Sequence, residues 1–288
     1  MKHKATLRTT GAFQLNNIVF SLSAFAIFLL FATACDSEAK KPSSASGLHR
    51  AAETSTIEVD LKVLSGKFAP DNMPGFASIP DKYLSRKPQY LDARALSALE
   101  KLSAAARKAG YDIKVVSATR NFTTQKAIWE EKFTGRRAVG GKNLATAIKD
   151  EEKRALEILR FSSMPGTSRH HWGTDMDFHE SGISGPALHN STFKTGRGKE
   201  FYDWLVANAG KFGFCQPYNG DPTERGAGKF AHGYQEERWH WSYRPVAAQY
   251  LAAYRQNAEI LRPNGFAGDK SAAHFYLDYV ENIDASCH

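Results

Sequence analysis

Two short stretches of this sequence concentrate side chains able to bind a metal or move a proton. The first, Ser168-Arg169-His170-His171-Trp172-Gly173-Thr174-Asp175-Met176-Asp177-Phe178, sets two imidazoles and two carboxylates behind a Pro-Gly turn. The second, Glu236-Glu237-Arg238-Trp239-His240, adds two more carboxylates and another imidazole. A hydrolytic zinc site needs three protein ligands, an open position for water, and a separate carboxylate to take the water proton. The two stretches contain that inventory. Two neutral imidazoles and one aspartate would leave the ion net positive and able to draw the pKa of a water toward about 7. The same donors would suit iron, and a histidine in an aromatic strand is more often a hydrogen-bonded core residue. Ligand chemistry alone therefore leaves a purely structural reading open.

Such side chains need rigid supports, and the sequence between and before them has the periodicities of both kinds of element. From Asp92 to Ala109, Leu96, Leu99 and Leu102 recur at helical spacing, and Gly110 stands where a helix would stop. Tyr111 to Ser117 reads as a strand, and a second helix is expected to begin near Thr123 and run past Trp129. The Gly- and Arg-rich segment from Thr134 to Asn143 reads as a loop, followed by a charged helical stretch from Leu144 to Arg160. Lys199 to Gly210 has another apolar stripe, and Trp239 to Tyr243 is strand-like.

The spacing Ser168-x-His170-x-x-Gly173-x-x-x-Asp177, followed by Glu237-x-Trp239-His240, resembles the paired signatures of the VanY-like D-alanyl-D-alanine carboxypeptidases. That family is related to lysostaphin-type peptidases and hedgehog-type domains. Upstream, Ser117-Ala118-Thr119-Arg120-Asn121-Phe122-Thr123-Thr124-Gln125 resembles the family's strand-end segment with its substrate-binding Arg and a Gln five residues on. The resemblance covers about Leu96 to Arg244. It implies an α+β fold in which a small antiparallel sheet bears the zinc site and is flanked by helices.

It further implies that His170, Asp177 and His240 bind Zn2+ and that Glu237 is the general base that then protonates the leaving amine. Arg120 would stabilise the oxyanion or hold a substrate carboxylate, against a structural salt bridge as the plain alternative. Gln125 and Ser168 would make polar contacts to the peptide, unless Ser168 only caps its turn. The implied substrates are peptidoglycan stem peptides, cut at a D-Ala-containing bond. An endopeptidase of the same family and a non-catalytic zinc-containing cell-wall binding protein are the alternatives.

One position departs from the family, which usually has a small residue where Asp175 stands. Positions two apart on a strand point to one side, so Asp175 is expected to face the metal region beside Asp177. It could accept from a ligand imidazole, contact a cationic substrate group, or replace Asp177 as ligand. His171 and His179 are read as hydrogen-bonding residues, because a fourth protein ligand would close the position that water needs.

The remaining sequence bears on where the protein works. Lys2, His3, Lys4 and Arg8 precede an uncharged apolar run from Ile18 to Ala34, the pattern of a signal peptide. It ends in Ala32-Thr33-Ala34-Cys35, which resembles a lipoprotein acylation site, with an uncleaved membrane anchor as the alternative. The expected organisation is a lipoprotein-type signal peptide at 1–34, a flexible tether at 35–56 and a zinc peptidase domain with a C-terminal extension at 57–288. This places the protein in the cell envelope, held to a membrane by lipidated Cys35, periplasmic or on the outer face. Cys215 and Cys287 are candidates for a disulfide in an oxidising compartment, or are two free thiols. The formal net charge of +8 suits an anionic environment such as cell wall. No interleaved basic-aromatic motif points to nucleic acid.

Overall fold

The fold is described from a computed structural model covering residues 59–86 and 88–288; the expected signal peptide, Cys35 and the tether lie outside these residues. Among the described residues no helix is long and apolar enough to cross a membrane.

A one-turn helix, α1 (Leu61–Ser65), is capped by the Asp60 carboxylate and stopped by Gly66. A short hairpin follows, β1 (Phe76–Ser78) pairing antiparallel with β2 (Tyr90–Asp92). Asp92 ends that hairpin and begins the next element, its side chain accepting from the Arg94 amide at the start of α2 (Ala93–Lys108). Ala95, Ala98, Leu99, Leu102 and Ala106 fall on one buried face of α2, the three- and four-residue spacing of an amphipathic helix. Burying each leucine stabilises the domain by about 1.5–3 kcal/mol. The helix ends at Ala109, before Gly110 at φ 87°.

β3 (Ile113–Ser117) alternates buried and half-buried residues, and α3 (Phe122–Phe133) starts on Asn121, whose side chain accepts from the Thr124 amide. The charged stretch expected as one helix from Leu144 to Arg160 is instead two, α4 (Leu144–Ala147) and α5 (Glu151–Leu159). The break has a local cause: Asp150 caps α5 through the Lys153 amide, while the Arg154 guanidinium takes the carbonyls of Ile148 and Lys149 that a continuous helix would have used.

β4 (Asp175–Glu180) lies between β3 and β6 (His240–Tyr243), with β5 (Phe214–Cys215) at the far edge, an antiparallel sheet in the order β3-β4-β6-β5. α6 (Gly196–Asn208) precedes β5. Met176 and Phe178 of β4 and Trp241 of β6 join Leu99, Leu102, Phe201 and Leu205 in the core beneath one face. The alternate positions, Asp175 and Asp177 on β4 and His240 and Ser242 on β6, therefore emerge on the other face. Beyond the sheet, α7 (Arg244–Gln256), α8 (Asp269–Ala272) and α9 (Tyr276–Glu281) build a second core with Trp129, Trp172 and Ile158. Cys215 on β5 is disulfide-bonded to Cys287, with Cα atoms 5.5 Å apart. The architecture is α+β, a small antiparallel sheet flanked by helices.

Candidate metal centre

Sheet register brings the two motifs together. Asp177 and His240 are direct partners across β4 and β6, as are Asp175 and Ser242 two pairs further on. Directly opposite residues hold their Cβ atoms about 5 Å apart, which suits two ligands of one ion. His170 arrives from a 3-10 turn, Arg169–Trp172, that Gly173 ends at φ 70° before β4 begins. A Cβ at Gly173 would fall 2.4 Å from the Phe76 ring and 2.8 Å from the Asp92 nitrogen. The glycine of the first motif is thus required twice, for a left-handed turn and for a close approach.

The donor atoms of His170, Asp177 and His240 all lie within 4.8 Å of one another, and all three residues are buried. Asp177 Oδ1 is 3.4 Å from His170 Nε2 and 3.1 Å from His240 Nδ1. It lacks an aligned hydrogen bond to either. Tetrahedral ligands about 2.0–2.1 Å from zinc stand about 3.3 Å apart, so these donors fit such an ion.

The outward ring nitrogens are also committed. His170 Nδ1 is 2.8 Å from the Ala118 carbonyl, which it can meet only as a donor, leaving Nε2 free of a proton for a metal. His240 Nε2 is 3.0 Å from Asp175 Oδ1, leaving Nδ1 as the metal-facing atom. Asp175 is fully buried, and its oxygens also accept from Arg169 Nε at 2.9 Å, Thr174 Oγ1 at 2.7 Å and Ser242 Oγ at 2.9 Å. Of the three roles open to it, the geometry selects acceptor for a ligand imidazole; it has no access to a substrate and does not displace Asp177. Burial opposes the ionisation of Asp175 and Asp177, but Arg169 and His240 hold the first well below the usual carboxylate range, and His170 and His240 the second. For His240, burial favours the neutral ring, yet the hydrogen bond to Asp175 and the charge of the Asp177 carboxylate beside Nδ1 outweigh it and raise the pKa to about 9.

Glu237 lies three residues before His240, its Oε2 3.5 Å from His240 Nδ1. Burial raises its pKa to about 7, with Asp177 adding to the effect and His240, Arg120 and Lys132 opposing it. A carboxylate near that value can take and return a proton at neutral pH. Glu237, His170, Asp177 and Arg120 all line a cleft of about 950 Å³, walled also by Thr124, Ile128, Lys132, Phe161, Leu188 and Trp239.

Arg120 is aimed into this cleft by the two histidines of the first motif. Its amide donates to the His170 carbonyl at 3.1 Å, and its own carbonyl lies 2.5 Å from His171 Nδ1. Nε2 of His171 accepts from the Gly166 amide at 3.0 Å. His171 is therefore a neutral bracket between β3 and the 3-10 turn; burial lowers its pKa to about 3. Gly66 makes room for it, since a Cβ there would stand 2.4 Å from His171 Nδ1. The Arg120 guanidinium has no ion-pair contact among the described residues and feels Asp177 and Glu237 most strongly among the charges.

Two expected contacts are placed elsewhere. Gln125 is buried, donating to the Ser163 carbonyl at 2.8 Å, and is absent from the cleft wall. Ser168 is also fully buried and off the wall; its hydroxyl caps no amide, and its carbonyl accepts from the His171 amide. His179, read as a hydrogen-bonding residue, is hydrogen-bonded to the Glu180 backbone and packs edge-on against Phe193, with Nε2 unbonded. Arg169, Ser242, Lys132 and Ser162 were not singled out by the sequence. Only the register of β4 and β6 could have suggested the first two.

The sequence pattern of the family VanY, D-alanyl-D-alanine carboxypeptidase, matches residues 88–246. The chain belongs to that family. A D-alanyl-D-alanine carboxypeptidase of Enterococcus faecalis is 30% identical over 158 residues, 55% of this chain and 50% of that protein. The Bacillus subtilis protein YodJ is 28% identical over 186 residues, 62% of this chain and 56% of its own length. The chain thus spans about half the length of the curated relatives it matches. Among solved structures, VanYB in complex with D-alanine-D-alanine is 28% identical, covering 64% of this chain and 92% of that one, with a TM-score of 0.41.

Proposed function

We propose that this protein is a zinc-dependent carboxypeptidase that removes a terminal D-Ala from peptidoglycan stem peptides. The observation that carries the proposal is the convergence of three buried donors, from His170, Asp177 and His240, with Glu237 beside them, at a cleft that His170, Asp177 and Glu237 line. Bound there, zinc would supply Lewis acidity toward the scissile carbonyl and the attacking water.

This chain's own residues do the rest. The Glu237 carboxylate takes the water proton as the C–O bond forms and returns it to the leaving nitrogen as the C–N bond breaks. Arg120, held by the His170 and His171 bracket, offers a permanently charged donor to the carbonyl oxygen as negative charge gathers there. Asp175 keeps the His240 ring in the tautomer that presents Nδ1. The low polarity of the Trp239 and Ile128 walls strengthens each of these interactions.

The test is incubation of the purified protein, with and without a chelator, with muropeptides ending in D-Ala-D-Ala or a single D-Ala, and mass analysis of the products. Release of D-Ala that is lost on chelation and in Glu237→Ala is the expected result. Cleavage only within cross-linked peptides would make the protein an endopeptidase, and stoichiometric zinc without cleavage would make it a binding protein. We further propose that Cys35 carries a lipid and residues 35–56 tether the enzyme to an envelope membrane, on the strength of the sequence pattern alone. Loss of palmitate labelling in Cys35→Ala checks that.

A further inference from the structure

The cleft wall contributed by α3 has a direction. Thr124, Ile128 and Lys132 recur every four residues and all three line the cleft, so one stripe of the helix faces it from end to end. The polar end lies beside Arg120; the far end is a lysine. Side chains on a helix lean toward its N-terminus, which turns the Lys132 ammonium back along the stripe toward Arg120 and the metal donors. It is held there by the hydroxyl of Ser162, another residue of the wall.

Lys132 has no carboxylate partner among the described residues; its contact is the neutral Ser162 hydroxyl. The neighbouring Arg137 is different, because it is paired with Glu131 at 3.0 Å. A half-buried ammonium left without a counter-charge inside a cleft is unfavourable unless an anion completes it. Burial, together with Arg137 and Arg120, lowers its pKa to about 8, so it remains mostly charged at neutral pH and gains from an incoming anion. Its charge also acts on Glu237, which places it near the reacting groups and not at a remote rim.

We propose that Lys132, supported by Ser162, receives the free C-terminal carboxylate of the leaving residue and leaves Arg120 for the carbonyl oxygen. This rests on the peptidase reading above and sharpens it: the cleft is built for a chain end, with Ile128 beside the small side chain of that last residue. The two cations then have separate tasks. Arg120, nearest in charge to Asp177 and Glu237, serves the bond that breaks; Lys132 selects peptides that end one residue beyond it.

The experiment uses two peptides of one sequence ending in D-Ala-D-Ala, one with a free carboxylate and one with a C-terminal amide. Each is titrated by calorimetry into zinc-loaded Glu237→Gln protein, with and without Lys132→Met. The parent should bind the acid about 10- to 100-fold more tightly than the amide, the range expected for one charge-assisted contact. In Lys132→Met that preference should nearly vanish while the amide binds as before. Lys132→Gln, folded by circular dichroism, repeats the measurement if the methionine variant is unstable. A preference that survives both substitutions overturns the assignment, as does a parent that fails to distinguish the peptides or binds neither. Turnover of the acid peptide by the unaltered enzyme reports separately on the reaction. Lys132-dependent preference without release of D-Ala would keep the carboxylate site and refute the peptidase.

Discussion

Single side chains carry opposite consequences depending on which nitrogen or oxygen is already engaged. Asp175 and Asp177 flank the two nitrogens of His240 and raise its pKa to about 9, so the metal-free protein is expected to hold this ring protonated at neutral pH. A metal must take Nδ1, so binding at pH 7 should release about one proton from this ring, and affinity should rise about tenfold per pH unit below the pKa near 9. Calorimetry in buffers of different ionisation enthalpy measures that release; buffer-independent heats would show His240 to be neutral beforehand. Asp175 has a double role that one substitution can separate. Asp175→Asn keeps an acceptor for His240 Nε2 but removes the charge that pairs with the buried Arg169. Zinc affinity should fall about 10-fold, toward the low end of what outer contacts contribute, while urea unfolding of the metal-free protein should show a larger loss, about 3 kcal/mol, for the stranded guanidinium. A variant whose zinc affinity collapsed with stability intact would make Asp175 a ligand instead.

The elements differ in how far the sequence made them legible. α2 was legible, because its apolar spacing, the Asp92 cap and the Gly110 stop agree with one another. Of the two ligand strands, β6 was visible as an aromatic run, and the sheet that pairs it with β4 came from the family resemblance. Two things were hidden. The gap between α4 and α5 was masked by a continuous run of good helix formers, since its cause is which carbonyls Arg154 takes. Gln125 and Lys132 were hidden by helical phase: adjacent residues are about 100° apart around the axis, so Thr124 faces the cleft while Gln125 turns inward to Ser163. Gly173, by contrast, is legible in the motif but explained only by structure. Gly173→Ala must place a Cβ against backbone as well as ring, at a left-handed φ. A loss of about 2 kcal/mol or more is expected, the left-handed conformation alone costing about 1 kcal/mol. Chemical denaturation reads the loss, and an unchanged midpoint would mean that the Asp92 segment can yield.

At the scale of the molecule, the segment after α7 closes over the loop that bears Glu237. Asn282 donates to the carbonyls of Pro222 and His232, Arg225 donates to the Asn282 carbonyl, and the Asp284 amide donates to Pro217. Tyr218, in the same loop, accepts the Glu237 amide through its carbonyl and packs its ring 4.7 Å from His240. The disulfide from Cys287 to Cys215 fastens this cover to β5, across 72 residues of sequence. Closing a loop of that length restricts the unfolded chain by about 4 kcal/mol in the chain-entropy account, and native bridges commonly contribute about 2–5 kcal/mol. The Cys215→Ala, Cys287→Ala double variant should therefore unfold about 5–15 °C lower, at about 2–4 °C per kcal/mol for a domain of this size. Because Cys215 pairs with Ser242 and not with a ligand residue, zinc stoichiometry measured well below the new midpoint should stay the same. A midpoint unchanged by the double substitution would mean that the Asn282 contacts alone hold the cover, and loss of zinc at low temperature would mean that the cover helps to form the site itself.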